Sequence, residues 1–319
     1  MGGRIANRVT DLLGCDFPIV SGPMRLITLG RMAACVSEAG GFGVIAASGL
    51  GRGDFEREIK TACSLTSKPF GVNIPVYRPN AVDALEVAID MGLKVVYTSA
   101  GSPARMMDRI KSANITVIHK VSSLDMAVKA VHAGVDAVVA MGFEAGGHIG
   151  RESITTFCLV RALSQQLDVP VIASGGVGDA RGLLAAMILG AEGVEIGTRL
   201  VATEQCPVPR FFKDAVCASG CSSTVVLGKD VMPIRVLRNV VTSKVADMDP
   251  HEADKSIALH GDTRYIADGG GKDTAVMPCG QVAGIVNDIV SVDFLLKSMV
   301  DGARSVAADM NRILGGCAR

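Results

Sequence analysis

The chain has no surplus of either charge. Lys plus Arg and Asp plus Glu stand at 32 each in 319 residues, so no global field draws it to nucleic acid or an anionic surface, and charge must act locally. It also has no C-x-x-C pair. The nine cysteines (Cys15, Cys35, Cys63, Cys158, Cys206, Cys217, Cys221, Cys279, Cys317) are odd in number and scattered, which argues against a disulfide framework and against a zinc or iron–sulfur site. Cys217 and Cys221 stand four apart, yet no His or Cys at ligand spacing completes a metal set. The cysteines read as small buried hydrophobes in a reducing compartment. No apolar run approaches the ~18 residues of a bilayer span, and the N-terminus lacks the apolar core of a signal peptide. No G-x-G-x-x-G suggests a Rossmann site. These absences predict a cytoplasmic protein with no nucleic acid, membrane or metal among its partners.

What is present is a rhythm. At 49% hydrophobic and 20% charged, the composition is that of a globular chain with a sizeable core. Short apolar runs recur at residues 17–23, 43–48, 69–74, 95–100, 116–121, 137–142, 170–176 and 193–198. Between them lie stretches with helical apolar spacing, such as DALEVAIDMG and ARGLLAAMILG, most of which stop at a glycine. Near-continuous apolar runs are what strands covered on both faces look like, and helical spacers require parallel pairing. This predicts a (β/α)8 TIM-type barrel, an α/β fold; a doubly wound open sheet is the alternative. The rhythm breaks after Thr198. Residues 206–275 read as a smaller, mainly helical cap, with 1–205 and 276–319 forming the barrel and two closing helices.

Barrels of this kind carry function on the loops at the C-terminal strand ends, and the loops after the last two strands commonly hold phosphate. The seventh run ends in Ser174-Gly175-Gly176 and the eighth in Gly197-Thr198, so backbone N–H groups and a hydroxyl can converge on a phosphoryl group. Asn73 closes the third run, where its amide offers a donor and an acceptor to a planar heterocycle. Ser21-Gly22-Pro23-Met24 makes a sharp turn after the first, and Lys120 places a cation at the end of the fifth. The sixth run leads into GFEAGGHIG. Of the five histidines, His148 alone combines a strand-end loop with glycine neighbours. Its near-neutral pKa suits proton transfer or hydrogen bonding to an anion, which makes it the candidate catalytic residue.

Together these motifs resemble the nitronate monooxygenase (2-nitropropane dioxygenase) superfamily, which includes the flavin-dependent enoyl-acyl-carrier-protein reductases. The matching stretches, in family order, are the G-P-M turn, A-x-x-V-S-E-A-G-G-F-G, P-F-G-V-N, E-A-G-G-H-x-G, I-A-S-G-G, L-G-A-E-G-V-x-I-G-T and the late G-Q-V-A-G. The resemblance implies FMN at the barrel mouth. Met24 and Asn73 would contact the flavin, Gly146 and Gly147 would flank the ring, and Gly175, Gly176, Gly197 and Thr198 would cradle the phosphate; His148 matches the active-site histidine. Three departures stand out: Glu195 where members often have Gln, Met141 where a polar residue is frequent, and Ser21 where Gln is frequent.

The resemblance implies an FMN-dependent oxidoreductase, first a nitronate monooxygenase oxidising alkyl nitronates with O2. The alternative is an NAD(P)H-dependent enoyl-thioester reductase, its substrate carried on CoA or acyl carrier protein, or a related quinone reductase. Ser99-Ala100-Gly101 with Pro103, and Gly280-Gln281, resemble the reductase branch. NAD(P)H enters as a co-substrate under that alternative, and a homodimer is compatible with either. A more remote reading is a non-redox phosphate-binding barrel isomerase.

Overall fold

The computed structural model describes residues 3–228, 232–249, 251–253, 255–256 and 271–315. The eight apolar runs all become strands of one parallel sheet: β1 (Ile19–Ser21), β2 (Gly43–Ala46), β3 (Phe70–Pro75), β4 (Val95–Ser99), β5 (Thr116–Val121), β6 (Ala137–Met141), β8 (Val171–Ser174) and β9 (Gly193–Ile196). The order is β1-β9-β8-β6-β5-β4-β3-β2. The two end strands meet as well. Ser21 N donates to Phe42 O at 3.0 Å, Phe42 N donates to Ile19 O at 2.9 Å, and Val20 and Phe42 form a parallel bridge. The sheet therefore closes into a TIM barrel.

Helices fill the intervals: α1 (Arg8–Leu13), α2 (Gly30–Glu38), α3 (Arg52–Leu65), α4 (Ala81–Asp90), α5 (Ala104–Ser112), α6 (Leu124–His132), α7 (Thr156–Gln166), α8 (Ala180–Ile188) and the short α9 (Thr198–Val201). Local chemistry sets several starts. Ser123 accepts from Met126 N at the head of α6, and Asp179 accepts from Gly182 N at the head of α8, each satisfying a helix-end N–H.

The strands are apolar on both faces because both are buried. Val72, Val96, Val117, Val138, Ala173 and Val194 pack outward in the core shared with the helices. Val20, Phe42, Val44, Tyr97, Ile118, Val139 and Ile172 fill the bore, with Val9, Leu13 and Cys15 of the N-terminal segment in the same cluster. The period of two then dictates that Lys120, Ser174 and Glu195, next to outward Val121, Ala173, Val194 and Ile196, face inward.

After α9 the chain forms α10 (Arg210–Cys217), β10 (Thr224–Leu227), β11 (Ile234–Leu237) and α11 (Val240–Ala246). The cap carries helices, as expected, and between them a β-ribbon that was not expected. The ribbon gains a third strand from the barrel, β7 (Gly147–His148), in the order β10-β11-β7. Leu227, Ile234, Val236, Val245, Ala253 and Val276 form its own small core. Instead of two closing helices there is a 3-10 turn (Gln281–Ile285) and one long helix, α12 (Val292–Gly315), which packs on α8 and α2. No described helix is long and apolar enough to cross a membrane. His260, Cys317 and most of the ADGGGKD run lie outside the described residues.

Candidate active site at the mouth of the barrel

The inward residues near the strand ends form a polar cluster. Lys120 Nζ donates to Glu195 Oε1 at 2.6 Å, and Ser174 Oγ donates to the same oxygen at 2.9 Å. Glu195 Oε2 and the Tyr97 hydroxyl are buried without a hydrogen-bond partner. Burial first, and the charge of Glu195 second, hold the Tyr97 phenol well above its ordinary range, so it stays protonated. Asn73 is buried and its Nδ2 donates to Ser99 Oγ at 3.2 Å. The sequence placed Asn73, Lys120, Ser174 and Glu195 at this end; Tyr97 it did not single out.

The ends of β1, β8 and β9 meet around the glycines. Gly22 N donates to Ile196 O at 2.8 Å, which brings the G-P-M turn to the end of β9. Gly175 and Gly176 have φ of +102° and +76°, a region in which only glycine is unstrained. Their roles differ. A Cβ on Gly175 would press on Ala145 N at 3.0 Å, whereas one on Gly176 would meet only Glu144 Cβ at 3.8 Å. A Cβ on Gly197 would meet only the Met24 side chain, its Sδ at 3.6 Å. Gly176 and Gly197 thus border open space at adjacent strand ends. Thr198 begins α9 and its Oγ1 accepts from Gly280 N at 2.9 Å, and its hydroxyl also hydrogen-bonds the side chain of Cys279.

The loop from Gly142 to Gly150 is packed tightly. A Cβ on Gly142 would meet Thr156 Oγ1 at 2.0 Å, one on Gly146 would meet Gly280 N at 2.6 Å, and one on Gly150 would meet Ser122 Cβ at 2.4 Å. At those three positions a side chain would collide with the protein itself. Gly147 differs: its φ is +72° and a Cβ would find only Pro278 at 4.0 Å. Thr156, which the sequence reading missed, organises the loop. Its N–H donates to Glu144 Oε2 at 2.8 Å, and its hydroxyl lies 3.0 Å from that oxygen and 3.0 Å from Gly175 O. No signal beyond a position at a helix start marked it. Gln281 N donates to Glu144 O at 3.0 Å, so the G-Q-V-A-G turn clamps the same loop.

His148 stands exposed in β7, paired with Ile234 of the cap. The other histidines are placed otherwise. His119 is buried in the helix-facing layer, its Nδ1 2.8 Å from Thr98 Oγ1, and burial lowers its pKa to about 4. His132 ends α6 and His251 lies in the cap, both exposed. Cys15, Cys206 and Cys279 are buried free thiols, whereas Cys63, Cys158 and Cys221 are exposed, against the expectation of buried hydrophobes; among the described residues no group of His, Cys, Asp and Glu could hold a metal.

Residues 6–302 match the family described as nitronate monooxygenase. The chain belongs to that family. Its relatives are oxidoreductases, and this chain is an enzyme of that class. It is similar to the (3aS,4S,5R,7aS)-5-hydroxy-7a-methyl-1-oxo-octahydro-1H-indene-4-carboxyl-CoA dehydrogenase of Mycobacterium tuberculosis, with 30% identity over 93% of this chain and 96% of the relative. A probable nitronate monooxygenase of Staphylococcus saprophyticus is 31% identical over 80% of this chain and 84% of its own length. Among solved structures, FabK from Thermotoga maritima superposes with a TM-score of 0.92 at 35% identity, covering 96% of this chain and 99% of that one. Nitroalkane oxidase from Streptomyces ansochromogenes gives 0.80 at 25% identity, over 94% and 99%.

Proposed function

We propose that this member of the nitronate monooxygenase family is an FMN-dependent oxidoreductase whose flavin is held at the barrel mouth, with His148 as the residue that meets the substrate. The observation that carries this reading is the pair of open glycines, Gly176 and Gly197, on adjacent strand ends. With Ser174, Gly175 and Thr198 they supply backbone N–H groups and hydroxyls for a phosphate. Gly22, Met24 and Asn73 line the same end, and Gly146 and Gly147 lead to His148. Glu195 does not oppose an anion as a bare carboxylate would: Lys120 at 2.6 Å neutralises it within the bore. Bound FMN would supply the electron and hydride chemistry.

His148 would hold a developing anion on the substrate or move a proton to or from it. The family's name makes an alkyl nitronate with O2 the first substrate reading. An enoyl thioester reduced with NAD(P)H is the second, and a specific observation favours it: the likeness to FabK, an enoyl-acyl-carrier-protein reductase, exceeds that to nitroalkane oxidase in both identity and superposition. Anaerobic stopped-flow mixing of the purified yellow protein with NADH, NADPH and ethyl nitronate tests both. Bleaching by the nitronate alone supports the first reading; bleaching by a nicotinamide with reoxidation by crotonyl-CoA supports the second. A protein that takes up no FMN would refute both.

A further inference from the structure

Arg235 is a buried cation, 3% exposed, on the middle strand of the cap sheet. Its partners are neutral oxygens. Nε and Nη2 donate to Phe143 O at 3.1 and 2.9 Å, and Nη1 donates to Thr224 Oγ1 at 3.1 Å. The guanidinium lies over the Phe143 ring, 4.7 Å from its centroid. Burial lowers its pKa and the charge of Glu144 opposes that shift. A guanidinium forked onto a carbonyl, with no ion-pair partner among the described residues, is an expensive way to fill a core.

What the fork holds is the start of the segment that ends in His148. Arg235 pairs with Gly147, and Ile234 with His148; Ile149 N donates to Pro233 O at 3.0 Å. A two-residue strand specifies its own register weakly, and a slip by one residue would turn His148 to the other face of the sheet. The fork onto Phe143 O, four residues upstream, fixes where the strand begins. On its other side the Arg235 carbonyl accepts from Cys279 N at 3.3 Å, so the same residue joins the loop, the cap and the segment before Gly280.

We infer that Arg235 is a positioning residue for His148: it locks the histidine strand onto the cap so that cap and histidine move as one body over the mouth. The inference rests on the role proposed for His148. Arg235→Gln and Arg235→Lys are made in the full-length FMN-loaded protein, alone and combined with His148→Ala, and assayed with ethyl nitronate and with crotonyl-CoA plus NADPH. Arg235→Gln is expected to keep FMN bound, to lower kcat roughly tenfold to a hundredfold, as ångström-scale misplacement does, and to add no further loss in the His148→Ala background. Arg235→Lys, which keeps the positive charge and a donor nitrogen, recovers part of the rate. Amide exchange at His148 and Ile149 accelerates in Arg235→Gln while that of β8 and β9 does not. An equal loss with and without His148 overturns the inference, and so does unaltered exchange beside an impaired His148→Ala. An unimpaired His148→Ala overturns the role of His148 together with the positioning built on it.

Discussion

Lys120 of β5 and Glu195 of β9 meet inside the bore across two intervening strands, Nζ to Oε1 at 2.6 Å, with their side chains 14% and 3% exposed. Removing one partner of a buried pair leaves an uncompensated charge. Lys120→Met strands the carboxylate, whose Oε2 already lacks a donor, and is expected to cost on the order of 3 kcal/mol. Glu195→Gln keeps an acceptor for Lys120 and Ser174 and should cost about 1 kcal/mol. Urea unfolding checks the order, and the double variant should lose less than the two losses added. A double loss equal to the sum would show that the pair is not coupled.

The open glycines separate flavin binding from folding. Gly197 has φ −117°, which alanine also adopts, and room for a Cβ. Gly197→Ala should therefore leave the Tm of the FMN-free protein within about 2 °C while weakening FMN at least about tenfold, because the methyl would occupy space in the proposed phosphate cradle. Gly146→Ala should do the reverse first, lowering Tm, since its Cβ would lie 2.6 Å from Gly280 N. Fluorescence titration with FMN, run beside thermal unfolding, measures both.

His119 makes stability depend on pH in a definite direction. Burial depresses its pKa from 6.5 to about 4, so the fold holds the neutral ring while the unfolded chain takes up a proton below about 6.5. The contribution is fully present above that pH and is lost as pH falls toward 4, by about 3 kcal/mol in all. In His119→Gln, the part of the stability change between pH 7 and 4.5 that comes from this ring should vanish. A denaturation series as steep in the variant as in the parent would remove His119 as its source.

Thiol reactivity should follow burial. Burial pushes Cys15 and Cys279 up to about 12 and Cys206 to about 11, so at pH 8 each is a shielded, protonated thiol. Cys63, Cys158 and Cys221 are exposed. Brief iodoacetamide treatment of the native protein, read by peptide mass spectrometry, should alkylate the latter three and spare the former until denaturant is added.

The barrel was legible because its signal is repeated and local. Each apolar run is buried on both faces and each lies between helical spacers, so the parallel pairing followed without long-range information. The polar residues inside those runs, Lys120 and Glu195 above all, were conspicuous for interrupting them. The ribbon of the cap was not legible for the opposite reason. Ile234, Val236 and Leu227 share a small core with Val245, Ala253 and Val276 among the described residues, and the apolar spacing in VMPIRVLRNVVTSKV fits a helix as well as a strand. A strand as short as Gly147–His148 has no period at all. It exists because β11 lies beside it, and no window of sequence contains that fact. The glycines around His148 were visible, yet their purpose was not: Gly142, Gly146 and Gly150 are small for the sake of Thr156, Gly280 and Ser122, far along the chain.

That the cap sheet borrows its third strand from the barrel bears on how this scaffold is recombined. A chimera that exchanged only residues 206–275 between two family members would place a foreign ribbon beside a native edge, with the fork from position 235 reaching for a carbonyl it had not evolved with. The exchangeable unit is discontinuous. It comprises the ribbon, the stretch from Phe143 to Gly150, and the Pro278–Gln281 segment that clamps it, and a transplant carrying all three would bring its own imidazole into register.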